Sequence, residues 1–570
     1  MSSHGSSSSP QLRTLLYGLA LLLAAFVYFF GLNSQHIPKN GDENVYAHIT
    51  RLTAASGHWL PLQSELKAMR NTKPPMLSWQ GIASTGHGQD WTLWNLRYPS
   101  VIYTLLTAAM VFLLGWKSSQ TLSAGFIAAL CFLAFFSTYR YGRPFLTNAP
   151  ETFWLFLPFF ILLYWKKTAF ASRWLPALLG LVIGIGLLYK SFALLLPVGV
   201  GLSWWYLHQR DYRLTDFIRA DVWKLILVAA ISLGMFGLWF VLDPDPQAVW
   251  QEFVMKENAG KFDPAGASYV SKLLWGSSSV WTLFLGLPLN AGLLALPVAA
   301  LMVDALRHRR QLGADEKLLW LWLLAMILVF SLPSQRSSRY LLAAMPALAV
   351  LCALGWERLG RSWFIATLVF CELALATLAY LSLRLQGATP DDALYAGFYW
   401  LLLLAAAGFS VAAMLIPALT RPGTTVAVLL VFFSMAAFLQ PFDGQRGNFS
   451  AEAQRQVAGR QVWVPSDFNA SYEAYRFLLP TAKIQSYRET REQHPDELAR
   501  RYPLFAVRLP LNALGTLDSA ACNGCRVIGE RLDLRGRHTS AELSAIVHGK
   551  VFENIFLKEW LVESSLAGQR

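Results

Sequence analysis

The sequence predicts a polytopic α-helical membrane protein that ends in a small soluble α/β domain. Of its 570 residues, 55% are hydrophobic and only 15% are charged, whereas about a quarter of the residues in a soluble domain carry charge. Long apolar runs recur as far as about residue 440, and beyond it the composition becomes that of a soluble protein. We therefore expect a membrane domain at residues 1–440 and a soluble domain at residues 441–570.

Thirteen apolar runs approach the length of a membrane-spanning helix, which needs roughly 17 to 25 residues. They cover residues 11–31, 98–116, 121–138, 149–165, 174–189, 192–208, 222–243, 278–303, 317–333, 340–356, 363–384, 398–418 and 423–440. Several are short, and two of them meet at Lys190, so the expected count is about thirteen. No small-residue cleavage site follows the first run, which predicts a retained first helix rather than a secretory signal.

The basic residues indicate how the chain is oriented. Most of them lie in short loops that face the cytoplasm if the N-terminus is cytoplasmic, as the positive-inside rule requires. The same rule accounts for the net charge of +13, so we expect no nucleic-acid partner. An odd number of spans then places the C-terminal domain on the outer side of a bacterial cytoplasmic membrane.

A smaller group of cations would lie on the outer side, near helix ends or in outer loops. They are Lys73, Arg140, Arg143, Lys190, Lys256, Lys261, Arg336 and Arg339. Because these cations oppose the orientation signal, they favour the binding of an anionic ligand at the outer membrane boundary. Each one taken singly could instead be a solvated loop charge or a snorkelling side chain.

Two predicted outer segments are too long to be turns, residues 32–97 and 244–277. In the first, Asp42 and Glu43 precede Val45, Ile49 and Leu52, whose spacing predicts an amphipathic helix on the membrane surface. Asp42 is either the N-cap of this helix, with Glu43 as a favourable first-turn charge, or both carboxylates face an aqueous pocket and take part in catalysis. The second segment is rich in acidic residues and suits a mobile loop over a site.

The soluble tail alternates short strand patterns with helical ones, which predicts a small α/β domain. We expect strands at residues 462–464, 482–487, 504–507 and 526–528, and helices near 469–479, 491–501 and 540–550. Cys522 and Cys525 are expected to form a local disulfide rather than an idle thiol pair or half of a metal site. Cys131, Cys352 and Cys371 lie within apolar runs, where packing is their expected role.

Motifs for nucleotide or metal chemistry are absent from the sequence. It contains no glycine-rich phosphate loop, no Walker motif and no His-Glu-x-x-His zinc helix. The outer histidines His48, His58 and His87 match no ligand spacing. We therefore expect no metal site and no required cofactor, although a divalent metal stays possible.

A set of short motifs, taken in order, resembles the integral-membrane GT-C glycosyltransferases. The set comprises Asp42-Glu43, Lys73-Pro74-Pro75 ending in Trp79, Thr147-Asn148-Ala149-Pro150, Leu188-Tyr189-Lys190 and Arg339-Tyr340-Leu341. Within these enzymes the chain is similar to the bacterial branch that contains the aminoarabinose lipid A transferases and the protein O-mannosyltransferases. The resemblance covers residues 10 to about 360, and a small outer domain after thirteen spans also fits the aminoarabinose branch.

This resemblance implies transfer of a sugar from a polyprenyl-phosphate carrier, typically undecaprenyl phosphate, to an acceptor at the outer face of the membrane. Position by position, it makes Asp42 the catalytic carboxylate, Lys73 the carrier-phosphate lysine and Tyr340 a phosphate-contacting tyrosine. Lys261 matches a basic residue of the flexible loop.

Two departures concern the substrates. Asn148-Ala149 stands where the lipid A transferases usually have Asp-Pro, with Glu151 following, and Thr72 stands where they have Glu. Both changes speak against lipid A as acceptor and aminoarabinose as donor more than against the reaction itself. Asn148 and Glu151 remain candidates for orienting the acceptor or the sugar.

The expected chemistry assigns roles to these residues. A sugar phosphodiester leaves as a phosphate monoester, so cations can stabilise the charge that develops on the phosphate oxygens, and a carboxylate can accept the acceptor's proton. The predicted catalytic residues are Asp42 and Glu43, and the predicted phosphate-binding residues are Lys73, Lys190, Arg339 and Tyr340, with Arg140, Arg143, Arg336 and Lys261 as further candidates. A single base would favour direct displacement with inversion, although Glu43 beside it leaves the retaining outcome open.

The leading hypothesis is therefore a polyprenyl-phosphate-sugar-dependent glycosyltransferase, whose acceptor is lipid A or another lipopolysaccharide, a glycan or a protein. The alternative is a transporter or flippase of anionic lipid-linked substrates. It would use the same outer cations but would also require broken helices at the midplane and an internal repeat, neither of which the sequence clearly contains.

Overall fold

The structure is a computed structural model. It describes residues 10–36, 41–66, 69–261, 269–275, 279–333, 336–388, 394–444, 446–467, 469–488, 495–511, 524–536 and 538–567. The helices of the membrane part are α1 Pro10–Phe29, α2 Gly41–Ala55, α3 Met76–Ser84, α4 Leu93–Ser119, α5 Leu122–Ala134, α6 Phe136–Tyr141, α7 Asn148–Tyr164, α8 Lys166–Ala171, α9 Leu175–Leu187, α10 Leu195–Gln209, α11 Leu214–Ala220, α12 Val222–Leu242, α13 Pro246–Val249, α14 Tyr269–Trp275, α15 Trp281–Phe284, α16 Gly286–Ala291, α17 Ala295–Arg307, α18 Ala314–Ser331, α19 Met345–Gly355, α20 Arg361–Ala388, α21 Gly397–Leu415 and α22 Pro417–Asp443. A π-helix, Trp250–Asn258, and 3-10 turns at Phe192–Leu194, Ala259–Lys261, Gly292–Leu294 and Ser338–Ala344 connect some of them.

The predicted polytopic helical fold is confirmed. Each of the thirteen apolar runs lies on a helix or on consecutive helices. In the described part of the chain, eight helical stretches are long and apolar enough to cross a bilayer, whereas α5 and α9 span only 13 residues each. The count of thirteen spans stays a prediction. The stretch Ser338–Gly355, which contains α19, is the most buried of the eight and lies in the core of the bundle.

Helix α2 forms as the sequence predicts, but its apolar face does not lie against the membrane. Val45 and Ile49 are buried in a cluster that also contains Val462, Val464 and Tyr475 of the soluble tail. The opposite side of α2 packs on the membrane helices through Tyr46 and Ala47, which share a cluster with Leu77, Leu96 and Phe145. The prediction of an interfacial helix is therefore corrected: a folded domain, rather than lipid, covers its apolar positions.

The tail is built on one five-stranded mixed sheet. Its strands are β1 Gln461–Ser466, β2 Lys483–Arg488, β3 Leu504–Pro510, β4 Cys525–Leu534 and β5 Phe556–Ser564, and its helices are α23 Ala451–Gln456, α24 Tyr475–Leu478, α25 Pro495–Arg501, α26 Ser540–Val547 and α27 Val551–Ile555, with a 3-10 turn at Ser471–Ala474. The spatial order is β2-β1-β3-β5-β4, with β1 parallel to β2 and β3, and with β5 antiparallel to β3 and β4.

The four predicted strands and the predicted α/β character are confirmed, but the sequence analysis missed β5. This strand begins directly where α27 ends at Ile555, without a glycine or proline to mark the change. Residues 491–494 of the predicted second helix lie outside the described residues.

The cysteines divide into two groups, as predicted. Cys525 is disulfide-bonded, and its predicted partner Cys522 lies outside the described residues. Cys131, Cys352 and Cys371 are free and buried, which fits a packing role within the bundle.

Buried ion pairs join the tail to the membrane part. Glu473 accepts hydrogen bonds from Arg51 at 2.8 and 3.0 Å, and its carboxylate lies 2.8 Å from Nδ1 of His48 on the same helix, α2. His36 bridges two carboxylates, with Nδ1 2.7 Å from Asp443 at the end of α22 and Nε2 3.2 Å from Asp533 on β4. Both ends of the tail are thereby held against the segment that follows α1.

Candidate active site

A cavity of about 1250 Å³ opens where α2, α10, α12 and α18 meet. The end of the cavity around Asp42, Lys73 and Arg339 is polar and is called the mouth here, and the rest of the cavity is apolar. The predicted phosphate-binding residues Lys73, Lys190, Arg339 and Tyr340 line the mouth, and Asp42 lies among them. The tertiary structure therefore brings together residues that are far apart in the chain, as the phosphate-binding hypothesis requires.

Arg339 is the centre of the mouth. Its Nη1 donates to Asp42 at 2.6 Å, and its Nε and Nη2 both donate to Oδ1 of Asn148, at 3.1 and 2.8 Å. The guanidinium also lies over the ring of Tyr141, 5.0 Å from its centroid. These contacts fix the orientation of Arg339 while leaving the Asp42 side chain 43% exposed to the cavity.

Lys190 forms the second cationic position. Its Nζ donates to Glu151 at 2.7 Å and lies 5.8 Å from the ring centroid of Tyr340. Asn148 and Glu151 stand three residues apart in the first turn of α7, so one face of that helix holds both Arg339 and Lys190. Tyr340 follows Arg339 in a 3-10 turn, which presents the two side chains to the same space.

Lys73 forms the third cationic position. Its Nζ donates to Glu257 at 2.5 Å and to the carbonyl oxygen of Thr72 at 2.9 Å. Glu257 belongs to the π-helix of the second outer segment, so this segment does reach the site, as the sequence suggested. Each of the three cations is therefore paired with a carboxylate, and these pairs are at least partly open to the cavity.

The depth of the cavity is an apolar groove. It is lined by Leu194, Leu195, Leu196, Gly199, Val200, Leu202, Trp204, Val222, Leu225, Ile226, Val228, Leu233, Val329, Phe330 and Leu332. From Lys190 to Trp204 the groove follows the 3-10 turn and α10 for roughly 20 Å. Leu196, Ile226 and Leu332 are more than half exposed, so the groove opens sideways toward the surface that faces lipid.

Glu43 is not part of the mouth, which corrects its prediction as a catalytic residue. Its two carboxylate oxygens accept from Nε and Nη2 of Arg97 at 2.7 and 2.8 Å, and Oε1 also accepts from the backbone N–H of Phe145. Arg97 donates further to the carbonyl oxygens of Leu32 and Ser34. A carboxylate that is buried and shared in this way ties α2 to α4 and has no access to a substrate.

Three further predicted phosphate-binding arginines are corrected, because they lie outside the wall of the cavity. Arg143 is fully buried, stacks on Tyr139 and donates to the carbonyl oxygens of Tyr28 and Phe30. Arg336 is also buried and donates to the carbonyl oxygen of Ser331.

Arg140, the third of these arginines, is exposed and lies over the rings of Phe136 and Tyr141. Lys261 ends a 3-10 turn, and its side chain lies outside the described residues.

Asn148 and Glu151 are buried behind the cations, so the prediction that they orient the acceptor or the sugar directly is also corrected. They position Arg339 and Lys190 instead. An amide at position 148 satisfies two N–H groups of Arg339 without adding a second negative charge to that of Asp42.

The sequence analysis missed three residues of the mouth: Tyr46, Glu257 and Asn469. Burial and then the nearby Asp42 carboxylate raise the pKa of Tyr46 above its ordinary value, so its hydroxyl stays protonated. Tyr46 lies four residues after Asp42, a helical spacing that could have identified it. Asn469 comes from the tail and reaches the mouth beside Gly41, and no local pattern in the sequence marks it.

A metal-binding cluster is not found at the mouth or elsewhere in the described residues. Among them, no three or more His, Cys, Asp or Glu side chains are grouped so that they could hold a metal ion. The requirement for a cofactor stays untested.

Several known proteins are similar to this chain in sequence or in fold. The family model for dolichyl-phosphate-mannose-protein mannosyltransferases matches residues 39–248. The undecaprenyl phosphate-α-4-amino-4-deoxy-L-arabinose arabinosyl transferase 2 of Proteus mirabilis is 28% identical over 412 residues, which cover 68% of this chain and 69% of that protein. The corresponding transferase 1 of Sodalis glossinidius is 26% identical over 351 residues, and the chain spans only 59% of its length.

Solved structures give the fold. The crystal structure of ArnT from Cupriavidus metallidurans bound to undecaprenyl phosphate matches with a TM-score of 0.61 and 16% identity, over 99% of this chain and 100% of that one. The apo form of the same protein matches with a TM-score of 0.60. The chain is therefore a multi-pass membrane protein with the GT-C fold, and its sequence is similar to those of the aminoarabinose arabinosyl transferases.

Proposed function

We propose that the protein transfers a sugar from a polyprenyl-phosphate carrier, of the undecaprenyl-phosphate type, to a lipid A, lipopolysaccharide or other envelope acceptor. One observation carries the proposal: three cations and two carboxylates, Asp42 and Glu257, converge at the mouth of an apolar groove that opens toward lipid. A groove of roughly 20 Å suits several isoprene units, and the mouth suits the phosphate at their end. The names of the arabinosyl transferase relatives support the same carrier.

The donor phosphate is proposed to bind between Lys73, Lys190 and Arg339, with Tyr340 beside it. Charge-assisted hydrogen bonds from these groups stabilise the two negative charges that collect on the phosphate as the sugar leaves. Because each cation starts paired with a carboxylate, binding requires the phosphate to share or replace Glu257, Glu151 or Asp42 as partner.

Asp42 is the proposed base. The acceptor hydroxyl oxygen forms a bond to the anomeric carbon, the bond from that carbon to the phosphate oxygen breaks, and the phosphate monoester departs with the electron pair. The hydroxyl proton passes to Asp42, whose exposed carboxylate is the one beside Arg339 at the mouth. With Glu43 buried elsewhere, Asp42 as sole base favours direct displacement and inversion at the anomeric carbon.

The proposed orientation places the mouth and the tail in the periplasm. The arginine clusters of the opposite loops support it, since they then obey the positive-inside rule. A single cysteine placed at an exposed tail position, such as Ala541, would then react with a membrane-impermeant thiol reagent on intact spheroplasts. Reaction only after permeabilisation would reverse the orientation.

A transfer assay tests the function. The purified protein is incubated with a panel of undecaprenyl-phosphate sugars and envelope membrane fractions, and mass spectrometry follows sugar transfer to lipid, glycan or protein. We expect one donor sugar to be transferred by the wild type and not by Asp42→Asn. Protein-linked sugar would favour an O-mannosyltransferase-like acceptor, and movement of the intact donor across proteoliposomes without transfer would favour the flippase alternative.

A further inference from the structure

Helix α26 of the tail turns an apolar face outward. The helix begins with a capping box, in which Thr539 and Glu542 bond to each other's backbone N–H groups, and none of its residues is buried. Leu543 and Val547 are 53% and 74% exposed, and their four-residue spacing puts them on one face. A helix that faces water normally carries polar side chains at such positions, so this face requires a different environment.

Helix α26 is attached to one end of α20. The hydroxyl of Tyr380 donates to the carbonyl oxygen of Val547 at 3.1 Å and lies 3.3 Å from that of Ile546. Arg384 stacks over the ring of Tyr380 and lies against the turn at Gly549. These contacts hold the helix on the membrane part through its backbone, and they leave the face with Leu543 and Val547 uncovered.

The point of attachment lies at the height of a membrane boundary. The 19 residues from Arg361, at the other end of α20, to Tyr380 rise by about 28 Å, which is close to the roughly 30 Å thickness of the hydrocarbon core. Leu383, three residues beyond Tyr380, is an apolar side chain that is 61% exposed near this boundary. The height is the same for either orientation of the protein in the membrane.

We propose that α26 is a membrane-surface anchor, whose Leu543 and Val547 enter the boundary between phospholipid headgroups and acyl chains. Tyr380, which holds the end of α26, lies one membrane thickness from the start of α20, which is why a bilayer rather than a protein is the assigned occupant. Arg384 and Lys550, both exposed, lie where headgroup phosphates attract cations. The anchor would give the tail an attachment to the membrane in addition to its contacts with α2.

Site-directed labelling tests the anchor without any activity assay. Leu543→Cys, Val547→Cys and the matched control Ala541→Cys are each labelled with a bimane fluorophore. The full-length protein is then reconstituted in phosphatidylcholine vesicles that contain phosphatidylglycerol. Ala541 is also exposed but lies on the other side of the same helix, and the native Cys131, Cys352 and Cys371 are buried. The protein without an added cysteine gives the background.

We expect a lipid with a nitroxide near its carbonyl to quench the labels at positions 543 and 547 at least about twofold more than the label at 541, and aqueous iodide to show the reverse order. Equal responses at all three positions, to either quencher, would overturn the proposal. Protection of positions 543 and 547 from both quenchers would indicate a protein partner and would also overturn it.

Discussion

Two adjacent residues of α2, Asp42 and Glu43, each pair with an arginine, but one pair is open to the cavity and the other is buried. Asp42 pairs with Arg339 at the open mouth, and Glu43 pairs with Arg97 in a buried contact that also takes the Phe145 N–H. Neighbouring positions on a helix point about 100° apart, so one carboxylate faces the cavity and the other faces the bundle. Two adjacent acidic residues in a sequence can therefore meet different surroundings, one open to a cavity and the other buried in the structure.

The largest expected effect is on turnover, and it distinguishes Asp42 from Glu43. Asp42→Asn preserves size and hydrogen bonding but removes the base, so turnover should fall by roughly 10²- to 10⁴-fold. Thermal unfolding of the purified protein should change little, because Asp42 is partly exposed in the first turn of α2. Full turnover by a folded Asp42→Asn protein would reduce Asp42 to a favourable first-turn charge.

A substitution of Glu43 distinguishes the two carboxylates by their effect on the stability of the protein. Glu43→Gln leaves the Arg97 guanidinium buried without a charged partner, which should cost about 3 to 5 kcal/mol of unfolding free energy. Chemical denaturation in detergent measures this loss, and the fraction that remains folded should keep its turnover. Normal stability combined with lost turnover would mean that Glu43 belongs to the chemistry after all.

A third carboxylate, Glu473, attaches the tail to α2 and predicts a dependence on acid. Burial alone would raise the pKa of Glu473, but hydrogen bonds from His48 and Arg51 outweigh it and lower the pKa to about 2. Because the pKa of Glu473 is lower in the folded state than its ordinary value of 4.5, the ionised carboxylate stabilises the fold at pH values above 4.5. This stabilisation is lost as the pH falls toward 2.

Hydrogen exchange of the strands of the tail can follow this effect. Between pH 5 and pH 3 the wild type should lose about 2 kcal/mol more than Glu473→Gln, which cannot titrate. Parallel losses in the two proteins would show that this carboxylate does not govern docking of the tail.

A smaller effect is expected when one phosphate-binding group is removed. Lys73→Ala deletes a charge-assisted hydrogen bond worth about 1.5 to 3 kcal/mol, so carrier affinity should weaken by roughly one to two orders of magnitude. Arg140→Ala is the matched control, since this cation is exposed and lies outside the cavity wall. Calorimetry with undecaprenyl phosphate compares them, and equal affinities would contradict the assignment of Lys73.

The smallest effect is expected for Asn469, the residue of the tail that lines the mouth. Asn469→Ala removes a neutral side-chain amide, and a hydrogen bond of this kind is worth about 0.5 to 1.5 kcal/mol. The transfer rate at low acceptor concentration should fall by up to about tenfold, while carrier affinity should stay unchanged. A fall in carrier affinity instead would put Asn469 at the phosphate.

The class of the fold and a set of candidate site residues could be predicted from the amino-acid sequence alone. Apolar runs predicted the helices because burying a backbone in lipid requires internal hydrogen bonds over a fixed length. The motifs that contain Asp42, Lys73, Lys190, Arg339 and Tyr340 identified the groups that an anionic donor needs, and all five line one cavity.

The neighbours of each charged side chain could be learned from the folded structure and not from the sequence. The apolar positions of α2 are equally suited to lipid and to a protein core, so the sequence could not show that the tail covers them. Arg143 and Glu43 carry the same charges as the residues that line the cavity, but burial and backbone carbonyl or arginine partners make them structural. Asn469 reaches the mouth through a contact with Gly41 that spans more than 400 residues, and no local pattern encodes such a contact.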